Sequence, residues 1–451
     1  MKRALFVLAF VVVCGIACDP QRGGWGFGAV EGMKTPADPT FDCNAALVPK
    51  DTLASARSSC AFVAGSHASQ TLGVDGPTAA KFPIRHVIVM MKENRSFDHL
   101  LGKLHDTLPE AEAIPANYTN PDPSGNPVSF THASTTCLPF DADHQSKAVL
   151  ACIDGGKMDG FVKNAAATTE SDGTFVMTFY DSNDLPFYYW LASSFAIGDR
   201  HFAPTASGTF ANRDYLMFGT NAGVVDTGLL YPSPTTPSIF QTIIDAGFTW
   251  RVYTNGGPLS DSLDWKTTDP GVRTIDDLLG DLKNGTLPNV AFVDGRENID
   301  DDHPLANLQD GEKWSKPIVD GAIASPQWNR LALIWTYDEA GAFADHVPPP
   351  SGCLALPSSS PFTLMGPRIP LVVVSPWAKR AYVSHVVRDH TAITRFIETL
   401  FDLPALIARD ANSDALLDMF DFSCGHDTTP LPTEPSLKTD GCPNPNPPGA
   451  D

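Results

Sequence analysis

A chain of 451 residues that is 43% hydrophobic and 18% charged can bury a large core, which excludes disorder as its resting state and admits one large α/β domain as readily as two smaller ones. A formal net charge of -21 argues against a nucleic-acid binder, whose affinity rests on Lys and Arg against phosphates. An acidic surface suits a protein that works outside the cytosol.

At the amino terminus Lys2 and Arg3 precede an apolar run from Ala4 to Val13, well short of the roughly 18 residues a membrane-spanning helix needs. Residues 1–18 therefore read as a signal peptide. Gly15-Ile16-Ala17-Cys18 resembles a lipobox without its usual Leu, so lipid on Cys18 and plain cleavage both stay open. Either outcome places the protein outside the cytoplasm, secreted, periplasmic or anchored to the envelope. Residues 19–81 are rich in Gly, Ala, Ser and Pro without a sustained period and form an irregular lead-in to a body spanning 82–425.

That body opens on the apolar run Val87–Met91, a strand covered on both faces as in a parallel sheet, which breaks off into Lys92, Glu93, Asn94, Arg95, Ser96 and Asp98. The carboxyl end of a parallel strand is where open α/β sheets place ligand sites. Asn120–Pro127, reading NPDPSGNP, marks a surface loop. Further strands are predicted at Phe195–Ile197, Trp250–Tyr253, Val290–Val293, Leu331–Tyr337 and Leu371–Val374. Helices are predicted from Ser238, a capping residue, to Gly247, and through Ile393, Phe396, Ile397 and Leu400. Strands alternating with helices give an α/β fold. Residues 426–451 are Pro-rich and read as a disordered or extended tail.

Of nine cysteines, Cys14 and Cys18 belong to the signal region. In an oxidising compartment the simplest pairings of the rest are Cys43 with Cys60, Cys137 with Cys152 and Cys353 with Cys424, leaving Cys442 over.

Several polar clusters place carboxylates beside histidines: Asp141 to His144, Asp301-Asp302-His303, Asp345-His346 and Asp389-His390. Two adjacent acids, Asp338 and Glu339, follow the buried strand LALIWTY. Unpaired buried ions cost several kcal/mol each, so a compensating charge is required, and a divalent cation is the simplest one.

The segments KENRSFDHLLG, DADHQS, GGKMDGFV, ANRDYLM, DDHP, YDEAGAFADHVPPP and RDHTAITRFIE, in that order, resemble the motifs of the bacterial phosphoesterase family that contains phospholipases C and an acid phosphatase. The resemblance implies an alkaline-phosphatase-like fold: a mixed, mainly parallel sheet sandwiched between helices in a single large domain. It implies hydrolysis of phosphate esters by a metal-assisted hydroxyl. Carried over residue by residue, it makes Glu93, Asn94, Asp338 and Glu339 metal ligands and Thr209 both ligand and nucleophile, with His144, His303 and His346 near the phosphate. Arg95 and Asp98 brace the loop. The chain departs from the family pattern at Ser207-Gly208-Thr209-Phe210-Ala211, where Gly-Pro and Pro are usual, which keeps Ser207 in contention as nucleophile.

Each of these residues has a plainer reading. Glu-Asn after a strand commonly caps a loop, and the histidines serve equally well as hydrogen-bond partners within the fold. His390 reads as a helix-start residue or one supporting the ligands. The aromatic run Phe187, Tyr188, Tyr189 and Trp190 fits a choline cage but more often makes core. Oxygen donors of this mixture admit Zn, Mg, Mn, Ca or Fe. The reading reached is a metal-dependent phosphoesterase outside the cytoplasm, with phospholipid as substrate, a membrane surface as possible partner and no nucleic acid. Phospholipase C is preferred to acid phosphatase. A catalytically silent surface binding protein of the same fold is the alternative of another class.

Overall fold

The computed structural model describes residues 41–44, 48–224, 236–257, 259, 271–354 and 363–440. The signal region, Cys442 and the tail from 441 onward lie outside them.

Eight strands form the central sheet: β1 (His86–Lys92), β2 (Ala196–Gly198), β3 (Trp250–Tyr253), β4 (Val272–Arg273), β5 (Val290–Asp294), β6 (Leu331–Tyr337), β7 (Leu371–Val374) and β8 (Tyr382–Ser384). Their spatial order is β8-β2-β7-β6-β1-β5-β3-β4. Among them β7 alone runs against the rest, antiparallel to both β6 and β2, so the sheet is mixed and mainly parallel. Every residue of β1 and β6 is buried, which is why these strands are continuous apolar runs without alternation. β4 and β8 carry no such run and were not evident in the sequence.

The helices of the body are α1 (Phe97–Leu101), α2 (Ser146–Ile153), α3 (Phe161–Thr168), α4 (Pro186–Ser194), α5 (Thr209–Phe218), α6 (Ile239–Asp245), α7 (Ile275–Asn284), α8 (Leu308–Ala324) and α9 (His390–Leu400), of which α2 and α3 pack outside the sheet core. Ser238 caps α6 as expected, its Oγ accepting from the Gln241 N–H at 3.2 Å. In α9 every residue is buried. The aromatic run on α4 is core: Phe187, Tyr188, Tyr189 and Trp190 are all buried, and the Tyr188 hydroxyl donates to Asp302.

Residues 107–181, between α1 and α4, build a second hydrophobic cluster in which Val149, Ile153, Phe161, Val162 and Met177 pack with Ala342, Phe343 and Ala344 from the segment after β6. This places the insertion, with His144, at the carboxyl edge of the sheet. The lead-in contains three short helices, Ala54–Ser58, Ala68–Thr71 and Gly76–Ala79, tied to the body where Arg395 Nη2 donates to Thr71 Oγ1 at 2.5 Å. The described tail is extended and rests on the body: Trp190 Nε1 donates to the Pro432 carbonyl and Lys316 pairs with Glu434.

The expected disulfide pairings are overturned. Cys43 bonds Cys424 and Cys60 bonds Cys353; Cys152 is free and buried, while Cys137 is disulfide-bonded elsewhere. Nearness in sequence misleads because the lead-in lies against the segments after β6 and after α9, whereas α2 turns Cys152 into the second cluster. Peptide mapping of the unreduced protein is expected to recover Cys43–Cys424 and Cys60–Cys353, with Cys152 alkylated only after unfolding. Recovery of Cys43–Cys60 refutes the arrangement.

Candidate active site

β1 and β6 pair in register from His86 opposite Leu331 to Lys92 opposite Tyr337. The residues that follow, Glu93-Asn94 and Asp338-Glu339, therefore emerge side by side. Asn94 turns the chain with φ of 61°, a left-handed conformation that Asn tolerates better than most residues. Its backbone N–H donates to Asp338 Oδ1 at 3.0 Å. The turn packs directly on Gly341, where a Cβ would lie 2.4 Å from the Asn94 carbonyl oxygen, so only glycine fits.

Thr209 opens α5, with Gly208 as its N-cap. Asn212 holds the loop where prolines were expected: its Nδ2 donates to the carbonyls of Ser207 and Gly208 at 2.7 and 3.0 Å, and its Oδ1 accepts from the Thr205 N–H at 2.9 Å. Thr209 Oγ1 donates to Glu93 Oε2 at 3.0 Å. One helical turn on, Arg213 donates to Glu93 Oε1 from Nε and Nη2 at 3.0 and 2.5 Å.

The Asn94 carboxamide sits at the centre. One end lies 2.9 Å from Glu93 Oε2, 2.7 Å from Glu339 Oε1 and 3.3 Å from Asp338 Oδ1, and the other 2.9 Å from His303 Nε2. With nitrogen inward the three carboxylate contacts are hydrogen bonds; with oxygen inward they are repulsive unless a cation lies among them. His144 Nε2 is 3.4 Å from the outer end. Both imidazoles donate Nδ1–H to backbone, His144 to Ala142 at 2.8 Å and His303 to Pro304 at 3.0 Å, which turns Nε2 of each toward the carboxamide.

Crowded buried acids hold protons tightly. Burial, then the neighbouring Asp338, raises Glu93 well above the usual carboxylate range. Burial also pushes Glu339 up to about 8, with His144 pulling the other way and Asp338 adding to the rise. Burial lowers His144 but is outweighed by Glu339 and Asp141, which carry it up to about 10. Burial prevails at His303 and lowers it. Asp338 Oδ2 is buried without a hydrogen-bond partner among the described residues.

The structure thus gathers Glu93, Asn94, Thr209, Asp338, Glu339, His144 and His303. His346 stands in a second cluster. Its Nδ1 is 2.6 Å from Asp98 Oδ2 and its Nε2 is 3.6 Å from Glu112 Oε1, while Arg368 bonds Asp98 and Asp345, each at 2.8 Å. That guanidinium fills the place a cation would take between the two acids. Arg95 braces the loop as expected, donating from Nε to the Asp302 carbonyl at 2.8 Å. His390, the first residue of α9, donates from Nε2 to the Asp338 carbonyl at 2.8 Å. Sequence reasoning gave no role to Arg213 or Asp294; the four-residue step from Thr209 along one helix was the available signal for Arg213.

A hydroxyl at a helix N-terminus faces clustered carboxylates at the carboxyl edge of a mainly parallel sheet, an arrangement that suits hydrolytic chemistry in an α/β enzyme. The Phosphoesterase family model matches residues 84–404, and the chain belongs to that family. It is a phosphoric ester hydrolase. Similar proteins include non-specific phospholipase C4 of Arabidopsis thaliana, 29% identical over 388 residues (73% of this chain and 70% of the relative). Phospholipase C A of Mycobacterium tuberculosis is 29% identical over 433 residues (78% and 79%). Among solved structures, a protein in the alkaline phosphatase superfamily from Vibrio parahaemolyticus overlaps with a TM-score of 0.33 at 9% identity, covering 70% of this chain and 77% of that one.

The second cluster sets a pH dependence. Burial lowers His346, but Asp98 and Glu112 outweigh it and carry the imidazole up from 6.5 to about 9. A raised folded-state value means that the stabilisation is complete below about 6.5 and is lost as pH rises through about 9. The melting temperature of the parent is therefore expected to fall more steeply across that window than that of His346→Gln. Parallel curves refute the ion pair.

Proposed function

We propose that the protein is a metal-dependent phospholipase C acting outside the cytoplasm, with Thr209 as nucleophile and a phosphoryl-enzyme as intermediate. The contact of Thr209 Oγ1 with Glu93 Oε2 inside the carboxylate cluster carries this reading. Preference for a phospholipid over a general phosphate monoester rests on the relatives, which are named as phospholipases C.

The donor set fits a divalent cation: Glu93, Asn94, Thr209, Asp338 and Glu339 offer hard oxygens, and the unpartnered Asp338 Oδ2 is an acceptor without a donor. Zn, Mg, Mn, Ca and Fe all accept such ligands. A cation held there lowers the pKa of a bound hydroxyl and offsets charge on the phosphoryl oxygens. The protein's own groups do the rest. Thr209 Oγ1 passes its proton to Glu93 Oε2 and bonds to phosphorus, while the first-turn N–H groups of α5 favour the anionic phosphoryl group. The bond from phosphorus to the glyceryl oxygen breaks, and His144, held protonated at neutral pH by Glu339 and Asp141, gives that oxygen its proton. Water then gives a proton to His144 and attacks phosphorus; the bond from Thr209 Oγ1 to phosphorus breaks, Thr209 takes its proton back from Glu93, and the phosphorylated headgroup leaves.

The signal-peptide pattern and the disulfides support an oxidising compartment. The intact ligand and nucleophile set speaks against a silent binding protein.

Purified mature protein is expected to release diacylglycerol from phosphatidylcholine faster than it hydrolyses an aryl phosphate; the reverse order favours the acid phosphatase reading. Thr209→Ala should reduce turnover to background with fold retained, Thr209→Ser should keep substantial activity, and Ser207→Ala should be mild. A phosphoryl group mapped to Ser207 reassigns the nucleophile. Chelation should abolish activity and Asp338→Asn should lower bound metal, whereas full activity in metal-free protein refutes the cofactor.

A further inference from the structure

Arg213 is 1% exposed and surrounded by acids. Nε and Nη2 take Glu93 Oε1; Nη1 takes Asp294 Oδ1 at 2.7 Å; Nε lies 3.7 Å from Asp338 Oδ2. Asp294 ends β5, opposite Met91 of β1 in the pairing, and its other oxygen accepts from the Leu259 N–H at 2.5 Å. The guanidinium is thus held from a neighbouring strand while it holds Glu93.

The geometry is specific. Thr209 and Arg213 project from the same face of α5 and grip opposite oxygens of one carboxylate, Oε2 and Oε1. The two grips together fix the plane of the Glu93 carboxylate, so that one oxygen faces Thr209 and the Asn94 carboxamide while the other faces Arg213. Arg213 and Asp294 touch neither Thr209 Oγ1 nor the centre of the cluster.

We infer that Arg213, anchored by Asp294, is a positioning residue for the reaction: its fork fixes the plane of the Glu93 carboxylate so that one oxygen faces Thr209 and the cation site, while its charge keeps the acid cluster assembled whether or not a cation is bound. The inference rests on the metal and nucleophile reading above and adds to it a pair of residues with a stated role. It separates orientation from charge. A lysine supplies the same charge from a single point and cannot reach Glu93 and Asp294 with the fixed fork of a guanidinium.

Arg213→Lys and Asp294→Asn are the test, made in the full mature chain and compared with the parent in three measurements. These are the melting temperature after chelation, Mn2+ affinity by electron paramagnetic resonance of the titrated ion, and kcat and KM on an aryl phosphate. Arg213→Lys is expected to melt close to the parent, to bind Mn2+ about 10–100-fold more weakly, as loss of a ligand-orienting partner does, and to lose kcat by a similar factor at nearly unchanged KM. Asp294→Asn should follow in the same direction with a smaller loss. Parent-like affinity and kcat in Arg213→Lys would show that charge alone suffices and overturn the inference. So would early melting with parent-like kcat below the transition, which marks a purely structural role. Failure of the parent itself to bind Mn2+ counts against that ion in the metal reading, and the kcat comparison still decides the role of Arg213.

Discussion

The register between β1 and β6 is the constraint on which the site depends. Because Lys92 lies opposite Tyr337, the next two residues of each strand meet, and three carboxylates and a carboxamide are forced into one small volume. A slip of one residue would turn every side chain of one strand to the other face, sending Glu93 and Asp338 apart. The buried apolar faces that set this register therefore also set the chemistry. The repulsion they create is large for a protein whose net stability is typically only about 5–15 kcal/mol, and much of the surrounding polar structure answers it.

The answers are distributed by strand. Arg213 reaches from α5 to the ends of β1, β5 and β6. Lys92, fully buried, lies 3.4 Å from Asp302, which also accepts from the hydroxyls of Tyr188 and Tyr337. Arg368 serves Asp98 and Asp345. Each cation is buried beside its acids, so the arrangement is hardly screened by salt. Removing one partner would strand a charge in the interior, which costs far more than the pair contributes.

Much of this was legible in the sequence, and the parts that were not have physical reasons. β1, β5, β6 and β7 stood out because strands covered on both faces are unbroken apolar runs, and β2 and β3 were read as well, β3 in spite of its half-buried Arg251. β4 and β8 are two and three residues long, partly exposed, and mix apolar with polar residues, so neither carries the apolar run that marks the equally short but fully buried β2. Glu93, Asn94, Asp338 and Glu339 were readable as charge placed immediately after buried strands, and the family resemblance supplied Thr209. The four-residue step from Thr209 put Arg213 on the same helix face but could not show what that face meets, because a single arginine inside a helix has the same local sequence whether it faces water or three acids. His346 was read beside Asp345, which the structure keeps in its cluster, but its other neighbours Asp98 and Arg368 come from distant segments and left no local signal. Cysteine connectivity failed for the same reason: residues 60 and 353 meet only in the completed fold.

The reversal of β7 has its own consequence. Leu371, its first residue, lies opposite Thr336 near the carboxyl end of β6, so the chain between the two strands leaves and re-enters the sheet at the same edge, with Asp345 and His346 at one foot and Arg368 at the other. A parallel strand would have required that connection to cross to the far edge, and its length would have been bound to the thickness of the sheet. Here it is not. Residues can be gained or lost along this excursion without shifting the pairing of β6 with β7, so related chains are free to vary in length between these two strands while the register that assembles the carboxylates stays the same.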